Sequence, residues 1–269
     1  MSELLLVANA GDSTVSTFRV RPGRPALERI AVSDVGSGCG TFAVDAGRDL
    51  VFAAAKGEPP GIDVFALDRD SGTLTHRFRT EVESPMTYLT LAHGGTLLAG
   101  ASYSGGAAEV FPVQDDGRVG NPTAHVSWPH AHCVAVGDGG KQLYVVSLGA
   151  DVIAQYKLSP QGQLTPLVPS VAAAPEGSGP RHLVLNAEQT AAFVLTEFSG
   201  VALGLSRDPR TGVLTPRAAA PAYAQDRGLS RGVQGADPAA EHRIWGADLH
   251  LARDERFLLC SERTASTLS

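Results

Sequence analysis

A hairpin pattern that returns five times is the feature that most limits what this chain can fold into. Each copy has a short apolar strand, a turn containing Gly, Asp or Asn, and a second apolar strand, as expected of a β-hairpin. Self-similarity at a regular interval predicts a fold made of repeated units. The copies are TFAVDAGRDLVFAAA (41–55), YLTLAHGGTLLAGAS (88–102), CVAVGDGGKQLYVVS (133–147), HLVLNAEQTAAFVLT (182–196) and DLHLARDERFLLCSE (248–262).

The sequence between the hairpins supplies two more strands for each unit. A third stretch with period-2 alternation follows most hairpins, as in GIDVFALD, and similar turns, such as DSGTLT and RTGVLTP, lead to a fourth, more polar strand. Four antiparallel strands in each unit are typical of a β-propeller blade. When Leu50, Leu97, Leu143, Ala192 and Leu258 are aligned, the intervals are 47, 46, 49 and 66 residues.

The chain is therefore predicted to be all-β, with residues 1–269 forming a single β-propeller domain. The long last interval places an insertion near residues 223–244, whose polar, Gly-rich sequence predicts a surface loop beside a binding face or a disordered loop without a role. The first unit starts with ELLLVANA, which matches the second strand of the other units. The last unit ends at ERTASTLS, where its third strand should start. About five and a half blades are present, and we expect a further C-terminal segment to complete the ring.

Composition narrows the classes of partner. The formal net charge of -6 does not supply the basic surface that nucleic-acid binding requires, so no nucleic-acid partner is expected. The apolar run in MSELLLVANAGD is too short for a signal core or a membrane span, so no membrane partner is expected. Three cysteines, Cys39, Cys133 and Cys260, are an odd number without C-x-x-C spacing, which favours reduced thiols and a cytoplasmic protein. The sequence gives no indication of oligomeric state.

Aligning the repeats places ionisable residues in two columns. Eleven residues before the aligned positions stand Cys39, Met86, His132, Arg181 and Ala247, and five residues after them stand Ala55, Ser102, Leu148, Glu197 and Arg263. The two strands of a hairpin run antiparallel, so both columns lie at the same end of their sheets. We therefore expect four side chains from three consecutive blades to meet beside the central channel, where they would form a site for an anionic substrate: His132, Arg181, Glu197 and Arg263.

Each of these residues also has a simpler interpretation. Arg181 and Glu197 belong to one hairpin and can form an ion pair that only closes a blade. His132 alone is more often a hydrogen-bonding residue than a catalyst. His130 and His132 could supply two metal ligands, but no third ligand is evident, so no metal site is expected. The SYSGG segment (102–106) predicts either a backbone lining for ligand oxygens or, more simply, a tight turn.

Three long segments resemble a known family. HAHCVAVGDGGKQLYVVSLGAD, GSGPRHLVLNAEQTAAFVLTE and DLHLARDERFLLCSERTAS are similar to segments of the lactonase family of seven-bladed β-propellers, which includes bacterial 6-phosphogluconolactonases and fungal carboxymuconate cyclases. The resemblance covers essentially the whole chain and implies seven four-stranded antiparallel blades. Family members often carry Asn or Asp before the last arginine, where this chain has Glu262.

The resemblance implies a hydrolase that opens a sugar lactone, with 6-phospho-D-glucono-1,5-lactone as the leading substrate. On this hypothesis His132 is the general base, Glu197 orients it or shares its proton, and Arg181 and Arg263 bind the substrate anion. His182 and Ser102 are expected to contact the substrate as well, and no cofactor is required.

Two other functions stay open at this point. A muconate-type lactonizing cycloisomerase would use the same side chains on a dicarboxylate, without water as a reactant. A propeller can also serve as a binding scaffold with no enzymatic activity, since fold does not fix function.

Overall fold

A computed structural model describes residues 3–21, 23, 27–36, 38–252 and 254–269. These residues form six antiparallel sheets, numbered here as blades 1 to 6 in chain order, and in each sheet consecutive strands are neighbours. Blade 1 contains β1 (Glu3–Asn9), β2 (Thr14–Val20) and β3 (Leu27–Asp34). Blade 2 contains β4 (Phe42–Asp45), β5 (Leu50–Ala55), β6 (Gly61–Leu67) and β7 (Leu74–Glu81). Blade 3 contains β8 (Tyr88–Ala92), β9 (Leu97–Ser102), β10 (Ala107–Pro112) and β11 (Ala124–Ser127).

The second half of the chain continues the same order. Blade 4 contains β12 (Ala131–Gly137), β13 (Gln142–Ser147), β14 (Val152–Leu158) and β15 (Leu164–Ala173). Blade 5 contains β16 (Pro180–Leu185), β17 (Ala191–Thr196), β18 (Val201–Arg207) and β19 (Leu214–Pro221), and blade 6 contains β20 (Gly246–Ala252), β21 (Phe257–Glu262) and β22 (Thr267–Leu268). Short 3₁₀ turns span His93–Gly95, Asp138–Gly140 and Gln225–Arg227.

The architecture is the all-β propeller predicted from the repeat. The first strands of blades 2 to 6 contact one another in sequence, so they line the inside of an arc of blades. The aligned positions all fall on the first or second residue of a blade's second strand, as at Leu50 and Ala192. None of the helical turns in the described ranges has the length and apolar character that a membrane crossing requires.

The hydrophobic core lies between the blades. Among the described residues, five buried clusters each join two neighbouring sheets. In the cluster between blades 4 and 5, for example, Tyr144 and Ile153 pack with Leu183 and Val194, and all four are at most 3% exposed. Because apolar burial is the dominant favourable term in folding, each blade depends on its neighbours for stability.

The repeated turn between the third and fourth strands holds adjacent blades together. Its glycine has a positive φ in each of blades 2 to 5 and packs against the preceding blade, at Gly72, Gly117, Gly162 and Gly212. Blade 4 reaches the last of these turns through Tyr144, whose hydroxyl donates a hydrogen bond to the Gly212 carbonyl over 2.5 Å. The similarity of these turns in sequence therefore reflects a shared contact between blades as well as a shared hairpin.

Gly212→Ala is predicted to destabilise the protein through both conformation and contact. Gly212 has φ of +79°, and a Cβ there would lie 2.7 Å from Cγ of Gln142, a buried side chain held by Arg207. We expect a loss of about 2–5 kcal/mol in the free energy of unfolding, from left-handed strain and overpacking together. Gly139→Ala is the matched control, since Gly139 has φ of +64° and nothing within 4 Å of its Cβ position. Equal losses in denaturant titrations of the two variants would contradict the proposed contact.

Candidate active site

A cavity of about 410 Å³ lies where the inner strands of several blades end. Its volume is in the range of small-molecule sites. Blades 2 and 3 supply one side, blade 4 lies between, and blades 5 and 6 with the loop before β20 supply the other. The lining residues are Lys56, Pro85, Thr87, Tyr103, Ser104, His132, Arg181, Glu197, Trp245 and Arg263.

Two of the functional candidates occupy β-bulges. In blade 4, Ala131 pairs with Ser147 but Cys133 pairs with Val146, so His132 is the extra residue. The pairing of β16 with β17 shifts in the same way around Arg181. A bulge breaks the regular alternation of a strand and changes the direction of a side chain, and bulges are common beside active sites. The same distortion, repeated on adjacent blades, brings an imidazole and a guanidinium to one cavity.

The first column also carries a register shift in blade 6 but not in blades 2 and 3. In blade 6 the register shifts between Gly246 and Leu249, around Ala247. In blades 2 and 3 the first strand begins only after this column, which there holds the buried apolar residues Cys39 and Met86.

Glu197 is the centre of an ion-pair network that joins two blades. Its Oε2 accepts a hydrogen bond from Arg181 Nε at 2.8 Å and another from Arg263 Nη2 at 3.2 Å. Arg181 also donates to the carbonyl of Ala247 in blade 6. The pairing of Arg181 with Glu197 is thus more than a contact within one hairpin. It fixes two guanidinium groups from neighbouring blades around one carboxylate.

Arg263 is held on an aromatic ring. Its guanidinium carbon lies 3.6 Å from the centre of the Trp245 ring, an arrangement that favours a cation. Burial, together with the charge of Arg181, lowers the pKa of Arg263 to about 10. Arg263 Nε is buried and has no hydrogen-bond partner among the described residues.

Glu262 holds the backbone around Arg263 and Trp245 in place. It is 2% exposed and accepts hydrogen bonds from the backbone amides of Trp245, Thr264 and Ala265. These bonds fix the backbone that follows Arg263 and the backbone of Trp245, on which Arg263 stacks. The departure from the family pattern at Glu262 therefore keeps an acceptor that the local backbone requires.

His132 is a buried imidazole in a positive environment. Burial, followed by the charges of Arg181, His182 and Arg263, lowers the pKa of His132 to about 2. Its ring lies edge-on to Tyr103, and its Nδ1 is buried without a hydrogen-bond partner among the described residues. The side chain is therefore neutral in the free protein.

His182 lies behind these residues and does not line the cavity. Its Nδ1 is 2.7 Å from Asp248 Oδ1, its Nε2 is 3.1 Å from Arg181 Nη1, and its ring centre is 5.0 Å from that of His132. Burial lowers the pKa of His182, although the hydrogen bond with Asp248 acts in the opposite direction. His182 is thus placed to support Arg181 and His132 rather than to contact a ligand in the cavity.

The structure does not bring Ser102 into the cavity. Ser102 is 3% exposed, and its hydroxyl donates to the Pro85 carbonyl and accepts from the Gly105 amide. The SYSGG segment is thus the tight turn that was the simpler interpretation. The neighbouring Tyr103 and Ser104 line the cavity in its place.

The insertion reaches the site. Its Gln234 Nε2 donates a hydrogen bond to the hydroxyl of Tyr103 over 2.6 Å, and the Tyr103 ring stacks on His130 at 4.6 Å. The backbone amide of Gly232 donates to the carbonyl of Phe198 in blade 5. The segment between β19 and β20 therefore bridges blades 3 and 5 beside the cavity.

Several residues at the site were not among the sequence predictions. Lys56 and Tyr103 occupy one column of the repeat, directly after the column that contains Glu197. Comparing this next column would have identified both residues. Asp248 shares a column with His182, its partner across the blades. Trp245 lies directly before β20, outside the aligned hairpins, and had no comparable signal. In the part of the chain that the structure describes, no group of three or more His, Cys, Asp or Glu side chains could hold a metal ion.

Comparison with known proteins shows the family. A family model described as "Lactonase, 7-bladed beta-propeller" matches residues 4–269. The chain belongs to this family. The family description gives seven blades, whereas the described residues of this chain form six sheets.

Individual relatives are similar at modest identity. The 6-phosphogluconolactonase of Sodalis glossinidius is 30% identical over 211 residues, which cover 78% of this chain and 59% of the relative. The 6-phosphogluconolactonase of Bacillus subtilis is 29% identical over 164 residues, which cover 56% of this chain and 46% of the relative. The chain thus spans about three fifths of the length of the first of these lactonases and about half of the second.

Solved structures share the fold. A protein from Lactobacillus plantarum has a TM-score of 0.84 at 23% identity, covering 100% of this chain and 77% of that one. The periplasmic gluconolactonase of Pseudomonas aeruginosa has a TM-score of 0.83 at 23% identity, covering 97% of this chain and 76% of that one. At these identities the likeness shows the fold alone.

The low pKa of His132 predicts an acid-sensitive fold. Its pKa is about 2 in the native protein against 6.5 as a reference, so the unfolded chain binds a proton below pH 6.5 that the native protein does not. Stability should therefore fall as the pH falls. Between pH 7 and pH 5 this single group should cost roughly 2 kcal/mol. We expect the free energy of unfolding of His132→Asn to decline that much less than that of the wild type in urea titrations. Parallel pH profiles would show that His132 is not held neutral.

Proposed function

We propose that this chain hydrolyses a sugar lactone in the cavity lined by His132, Arg181, Glu197 and Arg263, with 6-phospho-D-glucono-1,5-lactone as the leading substrate. One observation carries the proposal: two guanidinium groups share one carboxylate beside a buried neutral imidazole. Membership of the lactonase family and similarity to proteins named 6-phosphogluconolactonase support it.

The arginines act on the lactone carbonyl. Arg181 and Arg263 present fixed donors to the oxygen on which negative charge develops as water adds to the carbonyl carbon. The positions of the two arginines support this role, because both line the same cavity as His132. Preorganised donors of this kind contribute strongly to catalysis because they need no reorganisation during the reaction.

His132 acts as the general base. It accepts a proton from the attacking water and returns it to the ring oxygen as the carbon–oxygen bond breaks, so lactone and water give the open hydroxy acid. The negative charge that develops on the carbonyl oxygen would offset the charges of Arg181 and Arg263. The pKa of His132 would then rise as this charge develops and make it a stronger base.

Glu197 takes a different role from the one expected from the sequence. Its carboxylate binds both arginines, so we assign it to positioning the guanidinium groups instead of orienting His132. His182 and Asp248 form a second support, because His182 contacts Arg181 and lies against the ring of His132. We place the reaction in the cytoplasm on the basis of the three cysteines, all of which are free and buried.

Lactone hydrolysis with matched histidine variants tests the proposal. The purified chain should accelerate opening of 6-phospho-D-glucono-1,5-lactone above the spontaneous rate, measured as acid release at constant pH. His132→Ala should lower kcat by about 10²–10⁴-fold, the usual contribution of a general base. His125→Ala is the control, because His125 lies on β11, where its imidazole contacts Glu109 and is about half exposed.

Two outcomes would contradict the proposal. A folded wild-type chain that does not accelerate lactone opening would exclude the activity, and turnover of a muconate would then indicate the cycloisomerase. A His132→Ala variant as active as His125→Ala would exclude His132 as the base.

A further inference from the structure

The side of the cavity opposite the arginines carries a cation that the proposed reaction does not use. Lys56 follows β5 in blade 2 and lines the cavity with Thr87, Tyr103 and Ser104 of blade 3. The arginines on the other side are already engaged with Glu197. Lys56 is exposed and has no ion pair or hydrogen bond within the described part of the chain.

From this arrangement we infer that Lys56, with the hydroxyl groups of Thr87 and Ser104, forms a subsite for the phosphate of a phosphorylated sugar lactone. The inference rests on the proposed function and adds the means of choosing between phosphorylated and plain lactones.

The charge of the cavity fits such a ligand. The lining contains three cations, Lys56, Arg181 and Arg263, and one carboxylate, Glu197, with His132 neutral, which leaves a net charge of +2. The protein as a whole has a formal charge of -6, so this positive site is a local exception. A phosphate monoester carries about −1.5 to −2 charges at neutral pH and is bound well by ammonium and hydroxyl donors.

The donors of this wall are available to a ligand. Thr87 Oγ1 accepts a hydrogen bond from the Tyr103 amide, which leaves its own hydroxyl proton free to be donated. Ser104 is exposed and makes no side-chain hydrogen bond within the described residues. Lys56, Thr87 and Ser104 thus line one cavity, and none of their side-chain donors has an acceptor among the described residues.

The direction of binding follows from the chemistry at the two sides. The base and the donors for the carbonyl oxygen lie on blades 4 to 6, so the reacting end of the lactone belongs there. The phosphate end is then left for Lys56 on blade 2. Binding a remote, non-reacting group in this way can lower the barrier at the reacting centre by orienting it.

Substrate discrimination by Lys56 variants tests the subsite. The measured quantity is the ratio of kcat/KM for 6-phosphogluconolactone to kcat/KM for gluconolactone, determined for wild type, Lys56→Gln, Lys56→Arg and the control Lys157→Gln, which alters an exposed lysine on β14. We expect Lys56→Gln to lower this ratio about 10- to 100-fold, the range for a lost hydrogen bond to a charged group. Lys56→Arg should restore most of the ratio, and Lys157→Gln should leave it unchanged.

Binding of the reaction products provides a readout that does not need turnover. Isothermal titration calorimetry should show that the wild type binds 6-phosphogluconate more tightly than gluconate, and that Lys56→Gln removes most of the difference. If the wild type opens neither lactone but keeps this Lys56-dependent preference, the proposed function fails and the subsite stands. If the wild type opens lactones and Lys56→Gln changes neither the ratio nor the preference, the subsite is wrong and the proposed function stands.

Discussion

The site depends on one backbone irregularity, a single extra residue in the first strand of adjacent blades. A regular strand sends successive side chains to opposite faces, and both faces of an inner blade pack against neighbouring blades. A polar residue between two buried ones would therefore point into the packing between blades. The bulges at His132 and Arg181 remove that constraint, while Ala131, Cys133 and their partners keep the hydrophobic contacts of the sheet. The packed fold and the polar cavity can therefore occupy the same strand.

The electrostatics of the cavity follow from this placement. Glu197 lies between two guanidinium groups and pairs with both, and the Trp245 ring stacks on the second. Burial, together with the charges of both arginines, keeps His132 neutral. A neutral imidazole and two fixed cations are complementary to an anionic substrate that gains negative charge as it reacts.

The blades and the meeting of the main site residues could be predicted from the sequence, because equivalent positions of a repeat occupy equivalent places in the fold. Aligning five hairpins was enough to predict blades and to bring His132 and Glu197 to one end of neighbouring sheets, since the extra residue in each bulge is included in the spacing. The alignment could not show that the Ser102 hydroxyl is used by its own turn, because that depends on local hydrogen bonds.

Contacts between repeat positions and residues outside the aligned hairpins could not be predicted from the sequence. The bond between Gln234 and Tyr103 joins residues 131 positions apart, and it depends on how the insertion folds across blades 3 and 5. The stacking of Arg263 on Trp245 likewise joins a repeat position to a residue outside the aligned hairpins. Such pairs have no fixed spacing, so no periodic pattern indicates them.

A double-mutant cycle on the two bulges tests the central claim most directly. Lactone hydrolysis would be measured for the wild type, His132→Ala, Arg181→Met and the double variant. If the bulges build one catalytic unit, the double variant should lose little more activity than the worse single variant, because residues that act together are strongly non-additive. Losses that multiply, as for independent positions, would show that His132 and Arg181 do not act in one site and would contradict the account.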